Sequence, residues 1–143
     1  MNANKKSESL KILIVEDEPI TLVAHARMLD TLGCISHIAV NGKQALAMFS
    51  YEYHVVLLDI ELPDINGLLI AASMRKSENN KRLQTCIIAV TSQLDNKLEE
   101  KYLAAGINAV IKKPVATQEL CRILKRFFEY QQQINKPFLW ASQ

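Results

Sequence analysis

The chain is poor in the residues that staple, bend or stack a polypeptide: 3 cysteines, 4 prolines, 4 glycines and 1 tryptophan in 143 residues. Cys34, Cys86 and Cys121 are odd in number, far apart and set in apolar or helical contexts. That excludes a disulfide framework or a short-spaced metal site and leaves buried free thiols of a reducing cytoplasm. No apolar run approaches the roughly 20 residues needed to span a bilayer. The first residues are polar with scattered lysines, unlike the apolar segment of a secretion signal. A dominant charge is missing too, since 17 Lys and Arg stand against 15 Asp and Glu. Nothing therefore suggests wholesale attraction to nucleic acid or to a lipid surface. These absences read as a soluble cytoplasmic protein, a monomer or weak dimer, with no direct nucleic-acid or membrane partner.

The length suits one domain with a self-sufficient core. Four short apolar runs end in chemistry-bearing residues. Ile12 to Val15 runs into Glu16 and Asp17; Val55 to Leu58 into Asp59; Cys86 to Val90 into Thr91; Ala109 to Ile111 into Lys112, Lys113 and Pro114. Residues 11 to 15 have the look of a strand buried on both faces, and the other runs read as strands. A weaker strand, about Ile35 to Val40, meets Asn41-Gly42. Helices are expected over residues 19 to 32, through Gln44 to Phe49, from Gly67 to about Lys76, over Leu94 to Ala105, and from Thr117 to about Gln131. Asp17 and Glu18 supply the first helix's cap, Pro19 suits its first turn and Gly33 ends it. Strand and helix alternate about five times, which argues for an α/β fold with a doubly wound parallel sheet and helices on both faces. The organisation expected is a disordered lead over residues 1–10, a domain over 11–130 and a tail over 131–143. That tail carries Pro137, Phe138 and Trp140, with no DNA-binding motif after residue 130.

In a parallel sheet the carboxyl ends of these runs meet at one edge, where open α/β sheets hold ligands. Acids, a hydroxyl and an ammonium there compose a metal and phosphoryl site. Magnesium takes one or two carboxylates, waters and a phosphate. Asp17 and Asp59 suit it, with Glu16 behind them and a loop carbonyl near Glu61 completing the set. A carboxylate such as Asp59 can also act as a nucleophile and form an aspartyl phosphate. Lys113 and Thr91 fit the ammonium and hydroxyl that phosphoryl transfer uses. A cis bond before Pro114 would be a rigid way to aim Lys113 inward.

The segments Val15-Glu16-Asp17-Glu18-Pro19, Leu57 through Gly67, Thr91-Ser92, and Gly106 through Lys113-Pro114 resemble the receiver domain of bacterial two-component response regulators. The likeness runs over about residues 11 to 130. It implies a flavodoxin-like five-stranded sheet of order 2-1-3-4-5, phosphorylation of Asp59 by a phosphohistidine donor, and Mg²⁺ at Glu16, Asp17 and Asp59. Thr91 and Lys113 then serve the phosphoryl group beside Asp59, and Thr91 and Val110 form the switch. Val110 stands where the family often has a tyrosine or phenylalanine that swings inward. Aliphatic residues there resemble receivers of hybrid histidine kinases, which pass the phosphoryl group to a histidine phosphotransfer domain. Ser92 replaces a common alanine and narrows the mouth of the site.

Within the first helix, Thr21, His25, Met28, Leu29 and Leu32 form a core stripe, leaving Ile20, Val23 and Ala24 off it beside Asp17. Those three are the expected docking patch for a sensor kinase or phosphotransfer domain. Two other functions compete: a receiver-like interaction module that is never phosphorylated, and an enzyme, either an aspartate-nucleophile phosphatase or a flavodoxin-like electron carrier. The phosphatase usually has a second aspartate two residues after the nucleophile, where this chain has Glu61. The electron carrier needs hydroxyls and glycines after the first strand, where this chain is acidic.

Overall fold

A computed structural model describes residues 9–50, 52–78 and 84–134. Strands and helices alternate: β1 Lys11–Val15, α1 Pro19–Thr31, β2 Ile35–Ala39, α2 Gly42–Met48, β3 Val55–Asp59, α3 Gly67–Glu78, β4 Cys86–Thr91, α4 Asn96–Ala104, β5 Ala109–Lys112 and α5 Thr117–Ile134. The strands form one sheet of order β2-β1-β3-β4-β5, every pairing parallel. This is the topology that the resemblance implied.

Side chains alternate across the sheet, so each central strand feeds two cores. Leu13, Val56 and Ile87 face Ala45 of α2, Ile70 and Met74 of α3 and Tyr102 of α4. Ile14, Leu57 and Ile88 face Leu29 of α1 and Leu120, Leu124 and Phe128 of α5. Two-sided burial is why β1, β3 and β4 read as continuous apolar runs rather than as alternating patterns. At the sheet's edge β2 keeps Ile35 and Ile38 partly exposed, which is why its pattern was weak.

Several boundaries differ from the expectation. Leu10, assigned to the leading segment, is fully buried and its carbonyl accepts from Ile35 N–H at 2.7 Å, so the packed unit includes it. The remainder of that lead up to residue 8, and Pro137, Phe138 and Trp140, lie outside the described residues. Helix α4 starts after Asp95, whose side chain caps it by accepting from Leu98 N–H at 2.9 Å. Only Glu18, not Asp17, caps α1, accepting from the N–H groups of Ile20 and Thr21. Thr21 also gives its hydroxyl proton to Glu18 at 2.7 Å, which takes it out of the core stripe. His25 and Leu29 are the buried residues of α1, with Met28 and Leu32 packed at the margin.

Gly67 lets α3 start hard against the loop after β3, for a Cβ there would stand 2.7 Å from Ile60 Cα. Asp64, on the same loop, accepts from the N–H groups of Gly42 and Lys43 and ties it to the start of α2. The loop that follows Asp59 is thus pinned at both ends.

Of the thiols, Cys34 and Cys86 are buried and Cys121 is half-buried, all unpaired. Burial pushes the Cys34 thiol up to about 11 and the Cys86 thiol up to about 12, so both stay protonated at neutral pH.

Burial holds the His25 imidazole below its ordinary 6.5, with Lys113 acting the same way and Asp59 opposing. The unfolded chain accepts a proton that the native state resists. Stability from neutral His25 is therefore complete above pH 6.5 and declines as pH falls through the lowered native value. Thermal unfolding in small pH steps just below 6.5 should show a declining midpoint that His25→Leu flattens. An identical slope in both proteins would contradict this assignment.

Candidate functional site

Parallel register delivers four strand ends to one rim. Val15 pairs with Leu58, Asp59 with Val90, and Thr91 with Lys112. The residues just past those ends are Glu16 and Asp17, the Glu61 loop, Ser92, and Lys113. Two backbone bonds fix their spacing: Ile60 N–H donates to Val90 O at 3.0 Å, and Lys113 N–H to Thr91 O at 2.8 Å. The peptide bond between Lys113 and Pro114 is cis.

Ligand-capable oxygens of Glu16, Asp17 and Asp59 lie within 4.8 Å of one another. Glu16 and Asp59 are buried, whereas Asp17 is open to solvent. Lys113 Nζ sits 3.4 Å from Asp59 Oδ1 and 3.8 Å from Glu16 Oε1. Asp59 Oδ1 also accepts from Glu61 N–H at 3.0 Å, and Glu16 Oε2 from Glu18 N–H at 3.2 Å. Lys112, the neighbouring lysine, is exposed on β5 and makes no such contact among the described residues.

Like charges about 4 Å apart repel by roughly 4 kcal/mol at a surface-like dielectric, and here one ammonium faces three carboxylates. The strain falls on Glu16. Its carboxyl is pushed up to about 7, chiefly by burial, with Glu18 N–H and Lys113 pulling down and Asp59 adding to the rise. With Glu16 ionised, three carboxylates against one ammonium leave a surplus of two negative charges, which one divalent cation neutralises. Glu16 Oε1 is buried with no hydrogen-bond partner among the described residues. An orphaned carboxylate oxygen facing two more carboxylates fits a hard, oxygen-seeking cation. Glu16, which the residue pattern alone had set behind the metal ligands, belongs to the carboxylate cluster itself.

Thr91 is buried and its Oγ1 lies 3.1 Å from Glu61 Oε2 and 3.0 Å from the Gln93 carbonyl. Ser92 donates to the same Glu61 oxygen, from Oγ at 2.8 Å and from N–H at 3.3 Å. Burial raises the Glu61 carboxyl, but the bonds from Ser92 and Thr91 and the charge of Lys113 outweigh it and hold the group below its ordinary range. The sequence reading gave Glu61 only a backbone role and Ser92 only bulk. The available signal was the hydroxyl itself, which the common alanine lacks.

Val110 lies half-buried on β5 and packs against the α2–α3–α4 side of the core. Ile20 and Val23 are 79% and 48% exposed, and Ala24 is also exposed, on the part of α1 nearest Asp17.

A 2-1-3-4-5 parallel sheet with acids, a hydroxyl and a lysine on its carboxyl rim defines a receiver-type signalling domain. The family described as response regulator receiver domain matches residues 12–125, and the chain belongs to it. It is 36% identical over 124 residues to the aerobic respiration control sensor protein ArcB of Escherichia coli K12. That match covers 86% of this chain but only 16% of ArcB, so the chain spans a small part of that relative. The receiver domain of sensor histidine kinase PA1611 from Pseudomonas aeruginosa, solved with magnesium coordinated in its active-site cleft, is 33% identical. It superposes with a TM-score of 0.71 over 83% of this chain and 97% of that one. A CheY-like receiver domain from Methanospirillum hungatei gives a TM-score of 0.77 at 28% identity, over 87% and 98%. The protein is a receiver domain of two-component signalling. No helix among the described residues is long and apolar enough to cross a membrane.

Proposed function

We propose that Asp59 takes a phosphoryl group from a phosphohistidine and that the chain relays it to a histidine phosphotransfer domain. The observation that carries this reading is the buried Asp59 carboxylate with Lys113 Nζ at 3.4 Å inside the carboxylate cluster. In the forward step an Asp59 oxygen bonds to phosphorus while the P–N bond breaks. The imidazole nitrogen keeps the bonding pair, and the proton on the other ring nitrogen leaves the histidine neutral. Lys113 places positive charge against the phosphoryl oxygens, and the Thr91 hydroxyl donates to one of them. Glu16, Asp17 and Asp59, with the Glu61 carbonyl, would hold Mg²⁺, which when bound neutralises the carboxylates and the incoming phosphoryl oxygens. No separate substrate is turned over; the same residues promote phosphorylation and later hydrolysis.

Relay is favoured over an output switch because Val110 has no ring to swing inward. Likeness to ArcB, a sensor protein, and to the hybrid signal transduction histidine kinase G of Dictyostelium discoideum supports it. The working unit runs from residue 10 to the end of α5 at Ile134, with the tail beyond it, in the cytoplasm, as a monomer or weak dimer. Its partners are a sensor histidine kinase or a phosphotransfer domain rather than nucleic acid or membrane. The test is to mix the chain with a phosphorylated phosphotransfer domain and Mg²⁺. Label should move to the chain and back; retention on the histidine throughout would refute relay.

Ile20, Val23 and Ala24 offer the docking surface, since a histidine must approach Asp59 in line from the rim beside α1. Ile20→Glu or Val23→Glu should slow transfer from the cognate histidine protein about tenfold, the effect of losing one apolar anchor. Labelling by a small phosphodonor should hardly change. Wild-type transfer rates in both variants would remove α1 from the docking surface.

A further inference from the structure

Thr91 has one hydroxyl proton, and in this structure it is committed. Its Oγ1 stands 3.1 Å from Glu61 Oε2 and 3.0 Å from the carbonyl of Gln93. The same Glu61 oxygen gathers two further donors, Ser92 Oγ at 2.8 Å and Ser92 N–H at 3.3 Å. One carboxylate oxygen thus clasps the loop after β3 to the loop after β4. Glu61 and Ser92 are both exposed, so neither side chain is needed to fill the core.

We infer that Glu61 and Ser92 form a latch that holds Thr91 in the unphosphorylated arrangement and that phosphorylation must break. The inference rests on Asp59 as the phosphoacceptor. A phosphoryl oxygen on Asp59 must compete for the single Thr91 proton with the acceptors that now share it, Glu61 Oε2 and the Gln93 carbonyl. Ser92 decides how firmly Glu61 competes. Its hydroxyl makes the shortest of the bonds to Oε2 and keeps the carboxylate over Thr91, whereas a methyl group would leave only the longer backbone contact. Both act through Thr91 and are positioning residues. Their effect is to set the affinity of the unmodified domain for a tetrahedral group on Asp59.

Glu61 carries a charge that would repel a phosphoryl group even without any latch, but Ser92 does not. The two causes can therefore be separated. Beryllium trifluoride with Mg²⁺ is the probe, titrated by calorimetry into the full chain. Ser92→Ala should tighten binding about fivefold, the worth of one hydrogen bond to a charged acceptor near the surface. Glu61→Ala should tighten it at least as much, and the double variant should gain no more than the better single one. Placed in a Thr91→Ala background, Ser92→Ala should gain nothing. Wild-type affinity in Ser92→Ala, or a full gain that survives Thr91→Ala, would overturn the latch. A wild-type chain that binds no beryllium trifluoride at all would overturn the phosphoacceptor reading and the latch with it.

Discussion

Asp59→Asn should incorporate no phosphoryl group above background, from a small phosphodonor or from a phosphohistidine protein. Asparagine matches aspartate in size and can still accept the Glu61 N–H, so the loop that Asp59 anchors at 3.0 Å should hold. What disappears is the anionic oxygen that bonds phosphorus, and a neutral amide is no substitute for it. Two of the nearby carboxylates are already engaged. Glu18 is spent on capping α1, and Glu61 is spent on Thr91 and Ser92. Radiolabel or phosphate-affinity gels check the outcome, and incorporation that survives the substitution would move the acceptor elsewhere.

The second large effect concerns the metal. Asp17→Ala should weaken Mg²⁺ binding by about a hundredfold, since a lost carboxylate ligand costs roughly 3 kcal/mol. Chelation should stop phosphorylation of the wild-type chain. Asp17 is the exposed member of the cluster and supports no packing, so the substitution should leave the fold intact. Glu18→Ala makes a sharp control one residue away. It removes the α1 cap and should lower stability while leaving Mg²⁺ affinity in place. Calorimetric titration reads both. Unchanged affinity in Asp17→Ala would place the cation away from this cluster.

Much of this fold was legible because its strands are simple. β1, β3 and β4 are buried on both faces, so each appears as an unbroken apolar run with a carboxylate or hydroxyl residue at its end. The strand order is another matter: apolar runs say that strands exist, and only the family resemblance said which lie side by side. Element ends were the weaker part. Helix α5 outlasts its apolar stripe, which ends at the buried Phe128, because the glutamines beyond it have good intrinsic helix propensity. Leu10 was set aside by its polar neighbours, although one buried leucine suffices to draw the chain into the core.

At the site, the acids, Thr91 and Lys113 could be gathered on paper because each ends a strand. The Glu61–Ser92 contact could not. Its partners are thirty-one residues apart and meet only because Asp59 and Val90 stand in register on adjacent strands. Which oxygen a glutamate offers, and to whom, is set by loop geometry that periodicity does not encode. Thr21 went astray for a related reason, as a short polar side chain near a helix start bonds locally before it reaches the core.

Locating the phosphoryl group is the most direct test. The full chain should be exposed to a small phosphodonor with Mg²⁺, the acyl phosphate reduced with borohydride, and the peptides read by mass spectrometry. Homoserine in place of Asp59, and nowhere else, is the expected result. Modification at another residue, or none in the presence of Mg²⁺, would contradict Asp59 as the phosphoacceptor.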